Sequence, residues 1–432
     1  MFEVVSLLLV FALMVYLLRR KADVSHALMA GAAAVGLIFG VDWPRFPRGL
    51  GAALAGVAAN FAQAAIAPAG IQLLALILLI TFLGHVLKHA ESLQQLMGAL
   101  RGILRDRRAA MAVAPAFIGL LPMPGGALFS APMVGELTED LNLPAEERTL
   151  INFWFRHVWE LTWPLYPGLL IAAVALGVPL ERLILVNLPM TLGAIVIGIF
   201  LCLRRVKLGA TESPGERGNW RELAAAVWPV ALLVVLTAAL ATAEKLGLRL
   251  ALSTDTALLV ALIVVIPSFV VLRRIPWREA ARLARATLSL RLVLLIYGIV
   301  AFGRLLRVYG AAADLPRELA AWGVPGPVLL FVVPMAVGLL TGYTPAFVGI
   351  CFPVLRPLMV AAGGFHYGYI TFAFAGGFLG VLLSPVHLCL VLSAEYFKAD
   401  FGRVYRRLAV PAGLLALVAL GTLFLWEAVA LR

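Results

Sequence analysis

The sequence predicts an all-α polytopic membrane protein, and three observations support this fold class. Of the 432 residues, 62% are hydrophobic and 13% are charged, whereas a soluble domain carries about 25% charged residues. The hydrophobic excess extends along the whole chain, and the longest polar segment, residues 204–222, has the length of a loop. The third observation is a series of about ten apolar runs near the length that a helix needs to cross a bilayer.

These runs define ten predicted transmembrane helices. They comprise residues 2–18, 26–41, 70–86, 151–176, 183–203, 223–243, 257–272, 292–306, 370–392 and 409–426. An amphipathic stretch at 48–66 is expected to lie along the outer membrane surface instead of crossing it.

The positive charges indicate the orientation. Lys and Arg number 35 against 23 Asp and Glu, a formal charge of +12. In a soluble protein this excess would suggest nucleic acid, but membrane proteins concentrate Lys and Arg in cytoplasmic loops. With the N-terminus outside, five basic clusters fall on the cytoplasmic side, so we expect both termini outside in an inner (plasma) membrane, and no nucleic-acid partner. The clusters are residues 19–21, 88–108, 204–221, 273–291 and 398–407.

Two apolar regions are predicted to be re-entrant helical hairpins. Residues 109–137 and 327–360 each contain two short apolar runs, separated by PMPGG at 122–126 and by TGYTP at 341–345. Proline blocks helix continuation and glycine permits irregular backbone. Irregular backbone at membrane depth is tolerated where it is buried in protein or lines a wet cavity. The alternative is one kinked span for each region.

The two hairpin regions align without gaps at an offset of 219 residues, which predicts an internal repeat. Gly84 aligns with Gly303 and Pro115 with Pro334. We therefore assign residues 1–204 to repeat one, 205–222 to a cytoplasmic linker and 223–432 to repeat two. Since each repeat has five spans, the second must enter the membrane inverted. Inverted repeats with broken helices are typical of secondary transporters, whose substrate site lies at the repeat interface.

Around these breaks the sequence resembles the ion transporter superfamily, which includes citrate, dicarboxylate, gluconate and arsenite permeases and some sodium/proton antiporters. Residues 152–160 (NFWFRHVWE), 164–168 (PLYPG) and 384–387 (SPVH) resemble a family of predicted integral-membrane permeases, domain of unknown function 401. The resemblance implies hairpin tips that meet at a solute site, a homodimer and elevator-like movement of a transport domain. Dicarboxylate members carry Ser-Asn-Thr at both tips, which this chain lacks, so a dicarboxylate substrate is not implied.

Polar residues within spans and at the predicted tips are the candidate substrate- or ion-binding residues, because polar groups are costly in a membrane. Arg156 and Glu160, four residues apart, would share a helix face and could pair, either at a functional site or as a structural ion pair. Arg156 is expected to bind an anion, and His157 or Glu160 to relay protons. The remaining candidates, which lie at the tips and in the ninth span, are Gly125, Gly126, Ser130, Thr341, Gly342, Thr344, Ser384 and His387.

No cofactor or metal site is expected. Cys202, Cys351 and Cys389 lie unpaired in apolar runs and are predicted to be packing residues. The favoured function is a secondary transporter of a small organic anion, expected to be a carboxylate, coupled to H⁺ or Na⁺.

Three other functional classes stay open. A sodium/proton antiporter usually needs membrane carboxylates, and Glu160 is the only well-embedded acid. A channel is compatible with hairpins. An intramembrane enzyme lacks support, since the chain contains no His-Glu-x-x-His or Gly-x-Ser-x-Gly pattern.

Overall fold

Apolar helix-forming runs, interrupted mainly by proline and glycine, give the chain an almost entirely helical fold. The computed structural model describes residues 2–90, 98, 103, 106–121, 123, 125–204, 206, 220–243, 252–361 and 364–429. Within these residues nineteen α-helices occur, together with two short strands, Val360–Ala361 (β1) and Gly364–Phe365 (β2), that pair antiparallel. The predicted all-α fold class is confirmed.

The helices divide between the two predicted repeats. The first half contains α1 (Phe2–Arg19), α2 (Val24–Gly40), α3 (Leu50–Ala65), α4 (Pro68–His89), α5 (Arg107–Gly119), α6 (Ala127–Glu136), α7 (Ala145–His157), α8 (Pro167–Leu176) and α9 (Leu180–Gly198). The second half contains α10 (Trp220–Thr242), α11 (Thr254–Leu272), α12 (Trp277–Thr287), α13 (Leu290–Val308), α14 (Leu315–Ala321), α15 (Gly326–Thr341), α16 (Thr344–Leu355), α17 (Tyr367–Leu382), α18 (Leu388–Phe397) and α19 (Phe401–Ala428).

Fewer unbroken helices cross a bilayer than the ten predicted spans would suggest. Six described helices, α1, α4, α9, α10, α11 and α19, are long and apolar enough to span alone. The pairs α12–α13 and α14–α15 raise this number to eight if each counts as one span, and they bend by 49° and 110°. The difference arises because predicted spans 151–176 and 370–392 are each two helices with a break, and because α2 has 17 residues.

Proline accounts for the position of both breaks. Residues 158–166 separate α7 from α8, and Pro167 occupies the first position of α8, where its missing N–H costs nothing. Residues 383–387 separate α17 from α18, and Pro385 lies inside that gap. Each break therefore leaves a helix end and a helix start inside the protein.

The two predicted hairpin regions each contain a pair of helices in mutual contact. In the first region α5 packs against α6, with residues 120–126 between them; Pro122 and Pro124 lie outside the described residues. In the second region α15 packs against α16, with only Gly342 and Tyr343 between them. That both arms return to the same membrane face stays a prediction.

Corresponding helices recur at nearly constant spacing in the two halves. Six pairs of helices begin 217 to 222 residues apart: α4/α13, α5/α15, α6/α16, α7/α17, α8/α18 and α9/α19. In each half the first hairpin arm packs on the first helix of the broken span, through an equivalent glycine. A Cβ on Gly119 would lie 2.2 Å from the Arg156 carbonyl oxygen, and a Cβ on Gly338 would lie 2.3 Å from that of Gly377. Only glycine permits this close backbone contact.

The second hairpin arms pack across the two halves. α6 contacts α18, which belongs to the broken span of the second half, and α16 contacts α8, which belongs to that of the first half. The two broken spans also contact each other directly through α7 and α18. This reciprocal packing brings both breaks and both hairpin tips into one region. The inverted orientation of the halves and the repeat boundaries stay predictions.

Candidate functional site

A cavity of about 580 Å³ lies where the breaks and the hairpin tips meet. Seven of the eleven predicted site residues line it. They are Gly125, Arg156, His157, Glu160, Gly342, Thr344 and His387. Residues from both halves of the chain, separated by about two hundred positions, therefore form a single concave surface.

Arg156 joins the first broken span to the first hairpin. Arg156 is 3% exposed, and its guanidinium donates hydrogen bonds to the carbonyl oxygens of Ile118 (3.3 Å) and Met123 (2.9 Å). The Nε atom is buried and has no hydrogen-bond partner. Arg156 therefore fixes the end of α5 and the tip.

The predicted pairing of Arg156 with Glu160 is wrong. The pairing assumed a continuous helix, but α7 ends at His157, so the two side chains no longer share a helix face. No salt bridge joins them within the described residues. Glu160 instead accepts a 3.4 Å hydrogen bond from the Thr344 hydroxyl, across the two halves, and its second carboxylate oxygen is buried without a partner.

Three helix N-termini face the cavity without side-chain caps. They belong to α8, α16 and α18, whose N-cap residues are Tyr166, Tyr343 and His387. Pro167 and Pro345 remove one N–H each from α8 and α16, and the third N–H of each helix bonds the N-cap carbonyl oxygen. The other first-turn N–H groups have no partner within the helix, and the helix dipole adds positive partial charge there. Each of these helices therefore presents a site that favours a negatively charged group.

His157, His387 and Cys389 form a buried cluster at the wall of the cavity. The two histidine Nε2 atoms are 3.1 Å apart, and the three potential ligand atoms all lie within 4.8 Å of one another. His157 comes from the end of α7, whereas the other two residues come from the start of α18. In the described part of the chain, this cluster offers the soft and borderline donors that a transition metal requires.

Two of the four other predicted residues lie behind the tips. Gly126 packs on Arg156, since a Cβ there would be 2.2 Å from Nη2. The Ser130 hydroxyl is fully buried and donates to the carbonyl oxygen of Ala127 at 3.4 Å. These residues shape the first tip without facing the cavity.

The remaining two support the second hairpin. The Thr341 hydroxyl donates to the Val337 carbonyl oxygen one turn earlier in α15. The Ser384 hydroxyl donates to the Leu339 carbonyl oxygen at 2.7 Å. Ser384 therefore connects the second broken span to its hairpin, as Arg156 does in the first half.

Several lining residues were not among the predicted site residues. Tyr166 donates a 2.6 Å hydrogen bond to the Gly119 carbonyl oxygen, and Cys389 completes the histidine cluster. His85, which hydrogen-bonds Thr287, and Arg291 lie at another part of the wall. A His-Leu-Cys sequence at 387–389 was the available signal for Cys389, but one cysteine in an apolar run suggested packing. The other positions depend on packing between halves and have no local signal.

Comparisons with known proteins agree with the membrane fold. The family model described as "Protein of unknown function (DUF401)" matches residues 4–425. The crystal structure of the YdaH transporter from Alcanivorax borkumensis, described as having an unusual topology, is similar with a TM-score of 0.60. The two sequences are 19% identical, and the match covers 89% of this chain and 90% of that one. No curated protein matches this sequence.

Proposed function

This chain belongs to the DUF401 family, and on that premise we propose that it is a secondary active transporter of a small organic anion. The fold likeness to a solved transporter over nine tenths of both chains supports this class. The anion is a carboxylate-bearing solute, and H⁺ or Na⁺ drives its movement. Elevator-like movement, a homodimeric assembly and an inner-membrane location with both termini outside belong to the same proposal.

The observation that carries the proposal is the positive character of a cavity placed between the halves. Three uncapped helix N-termini and the buried Arg156 guanidinium line it. Partial and full positive charges that converge in a low-dielectric region bind an anion strongly. A volume of about 580 Å³ falls within the range of small-molecule sites.

A site formed by both halves suits alternating access, in which the site is exposed to one side of the membrane at a time. Tips that contact the opposite broken span can open on one side while they stay closed on the other. One long hydrogen bond between Glu160 and Thr344 joins the halves. A coupling ion that binds Glu160 would replace this bond. The unpartnered carboxylate oxygen of Glu160 is the acceptor that H⁺ or Na⁺ would use.

Uptake by proteoliposomes tests the proposal. A panel of labelled organic acids is offered under an imposed H⁺ or Na⁺ gradient, and we expect saturable uptake of at least one acid that stops when the gradient is collapsed. Arg156→Lys should reduce that uptake at least about tenfold, because lysine cannot reproduce the fork of donors. The matched control is Arg304→Lys, which alters a membrane arginine that contacts Asn60 outside the cavity. Equal uptake by both variants would contradict the anion role of Arg156.

A sodium/proton antiporter is the second candidate, and Glu160 favours it. This carboxylate has a buried, unpartnered oxygen in the cavity, as cation exchange requires. In that case adding Na⁺ to proteoliposomes without any organic acid would release protons, and Glu160→Gln would abolish the release. Proton release that needs an organic acid would instead support the anion transporter.

A further inference from the structure

The hydrogen bonds of His157 and His387 fix the tautomer of both rings. The His157 Nδ1 lies 2.6 Å from the Phe153 carbonyl oxygen, and the His387 Nδ1 lies 3.1 Å from that of Val381. A carbonyl oxygen only accepts hydrogen bonds, so Nδ1 must carry the proton in each ring. In the neutral form of each ring, Nε2 then has a lone pair and no proton.

These two lone pairs face each other. The Nε2 atoms are 3.1 Å apart, and two acceptors at that distance repel unless a positive species lies between or beside them. His157 and His387 are 5% and 6% exposed, so bulk water does not relieve the repulsion. Cys389 is 8% exposed, and its sulfur lies within 4.8 Å of a ring nitrogen of each histidine.

We propose that His157, His387 and Cys389 bind one zinc ion. Zinc lies about 2.0–2.1 Å from histidine nitrogen and about 2.3 Å from cysteine sulfur in tetrahedral sites. Two nitrogens bound at that distance are roughly 3.3 Å apart, close to the separation of the two rings. Metal-binding histidines also typically donate their second ring N–H to a carbonyl oxygen, which is the arrangement of both rings here.

The fourth coordination position opens into the cavity, since all three side chains line it. Three protein ligands with one open position form an exchangeable site, not a closed structural one. Water or a carboxylate would complete the coordination. On binding, the Cys389 thiol gives up its proton to solvent and the thiolate bonds to zinc.

The ion would connect the two halves of the chain. One ligand ends α7 and two begin α18, and these helices contact each other at the crossing of the broken spans. A proton shared between the rings would also remove the repulsion, but it would not bring one zinc ion per chain, so metal analysis separates the two cases. Metal binding is measured without any transport readout. The zinc proposal can therefore fail while the transport proposal holds, and the transport proposal can fail while the zinc proposal holds.

The test uses the purified full-length protein in detergent, with any affinity tag removed. After incubation with zinc and dialysis, metal analysis should find about one zinc per chain. Cobalt(II) in place of zinc should produce a thiolate-to-cobalt charge-transfer absorption band. His387→Ala should weaken zinc binding at least about 100-fold, since even outer-shell changes cost 10- to 100-fold. Cys389→Ser should remove the charge-transfer band while cobalt bound through both histidines is retained at lower affinity.

The controls separate the cluster from other histidines and thiols. Cys351→Ser removes a fully buried thiol in α16, and His89→Ala removes a partly exposed histidine near Glu279. Both should bind zinc and cobalt as the unaltered protein does. Zinc that stays far below one per chain in the unaltered protein would overturn the proposal. A cobalt band that survives Cys389→Ser would overturn it too. The charge-transfer band is measured in Cys389→Ser, so the test still gives a result if His387→Ala does not fold.

Discussion

The two broken spans differ in chemistry although they occupy equivalent places in the chain. The first break, residues 158–166, is flanked by Arg156 and contains Glu160, whereas the second, residues 383–387, contains Ser384 and no charged side chain except a titratable histidine. Arg156, Trp163 and Tyr166 together donate four hydrogen bonds to carbonyl oxygens of the first hairpin. Ser384 donates one to the second hairpin.

This difference shows that two copies of one topology can contribute different chemical groups to a shared site. The first half supplies formal charge and holds its tip with several donors. The second half supplies two of the three uncapped helix N-termini, those of α16 and α18. Buried charge is expensive, and concentrating it in one half confines the required hydrogen bonds to one tip. The comparison predicts unequal sensitivity of the two tips to substitution.

The largest expected difference concerns Arg156 and Ser384. Arg156→Met removes two hydrogen bonds from a charged donor, to the carbonyl oxygens of Ile118 and Met123; because a charged donor contributes more than a neutral one, we expect a loss of about 3 kcal/mol. Ser384→Ala removes one hydrogen bond, to the Leu339 carbonyl oxygen, and should cost about 1 kcal/mol. Thermal unfolding in detergent would measure both. Equal decreases in melting temperature would contradict the unequal support of the two tips.

The second tip can be examined through a pair of glycines with the same backbone conformation. Gly342 and Gly177 both end helices at positive φ, 60° and 71°. A Cβ on Gly342 would lie 2.9 Å from the His387 backbone nitrogen, whereas nothing lies within 4 Å of one on Gly177. Both alanine variants carry the conformational cost, of order 1 kcal/mol, and only Gly342→Ala adds crowding.

Gly342→Ala should therefore lower both the melting temperature and the rate of anion uptake. Gly177→Ala should lower the melting temperature alone, and by less. An uptake rate unchanged by Gly342→Ala would indicate that the second tip does not need its close contact with the break at His387.

The smallest effect is expected at the base of the first hairpin. Arg107, at the start of α5, pairs with Asp140 beyond the end of α6. Hydrogen bonding from the Arg107 guanidinium lowers the pKa of the Asp140 carboxyl to about 2. At the equivalent positions of the second hairpin, 219 residues further on, the chain has Gly326 and Met359, and the nearby Arg356 donates to the Leu176 carbonyl oxygen.

A carboxyl whose pKa is lower in the folded protein stabilises the fold at pH values above its ordinary pKa of about 4. That contribution is lost as the pH falls from about 4 towards 2. Asp140→Asn should therefore be slightly less stable than the unaltered protein at pH 7, and the difference should shrink as the pH approaches 2. Melting temperatures measured across this range check the prediction. A difference that does not change with pH would show that the ion pair is not its cause.

Sequence reasoning located the breaks but not the contacts made across them. Proline and glycine act locally, so the separations between α7 and α8 and between α15 and α16 could be predicted from the residues themselves. The Arg156–Glu160 pair failed because helical spacing was carried past His157, where the helix ends. His157 and His387 were both candidates from the sequence and both line the cavity, but their mutual contact joins residues 230 positions apart. No local sequence pattern indicates that residues so far apart in the chain lie in contact.

Solute counterflow separates alternating access from passive flow, because it requires a site that is exposed to each side in turn. Proteoliposomes are loaded with an unlabelled acid identified by the uptake panel, and the labelled acid is added outside without an ion gradient. We expect transient accumulation of label above its equilibrium level, lost in Arg156→Lys and kept in Arg304→Lys. Label that only equilibrates, as through a channel, or accumulation unaffected by Arg156→Lys, would contradict this expectation.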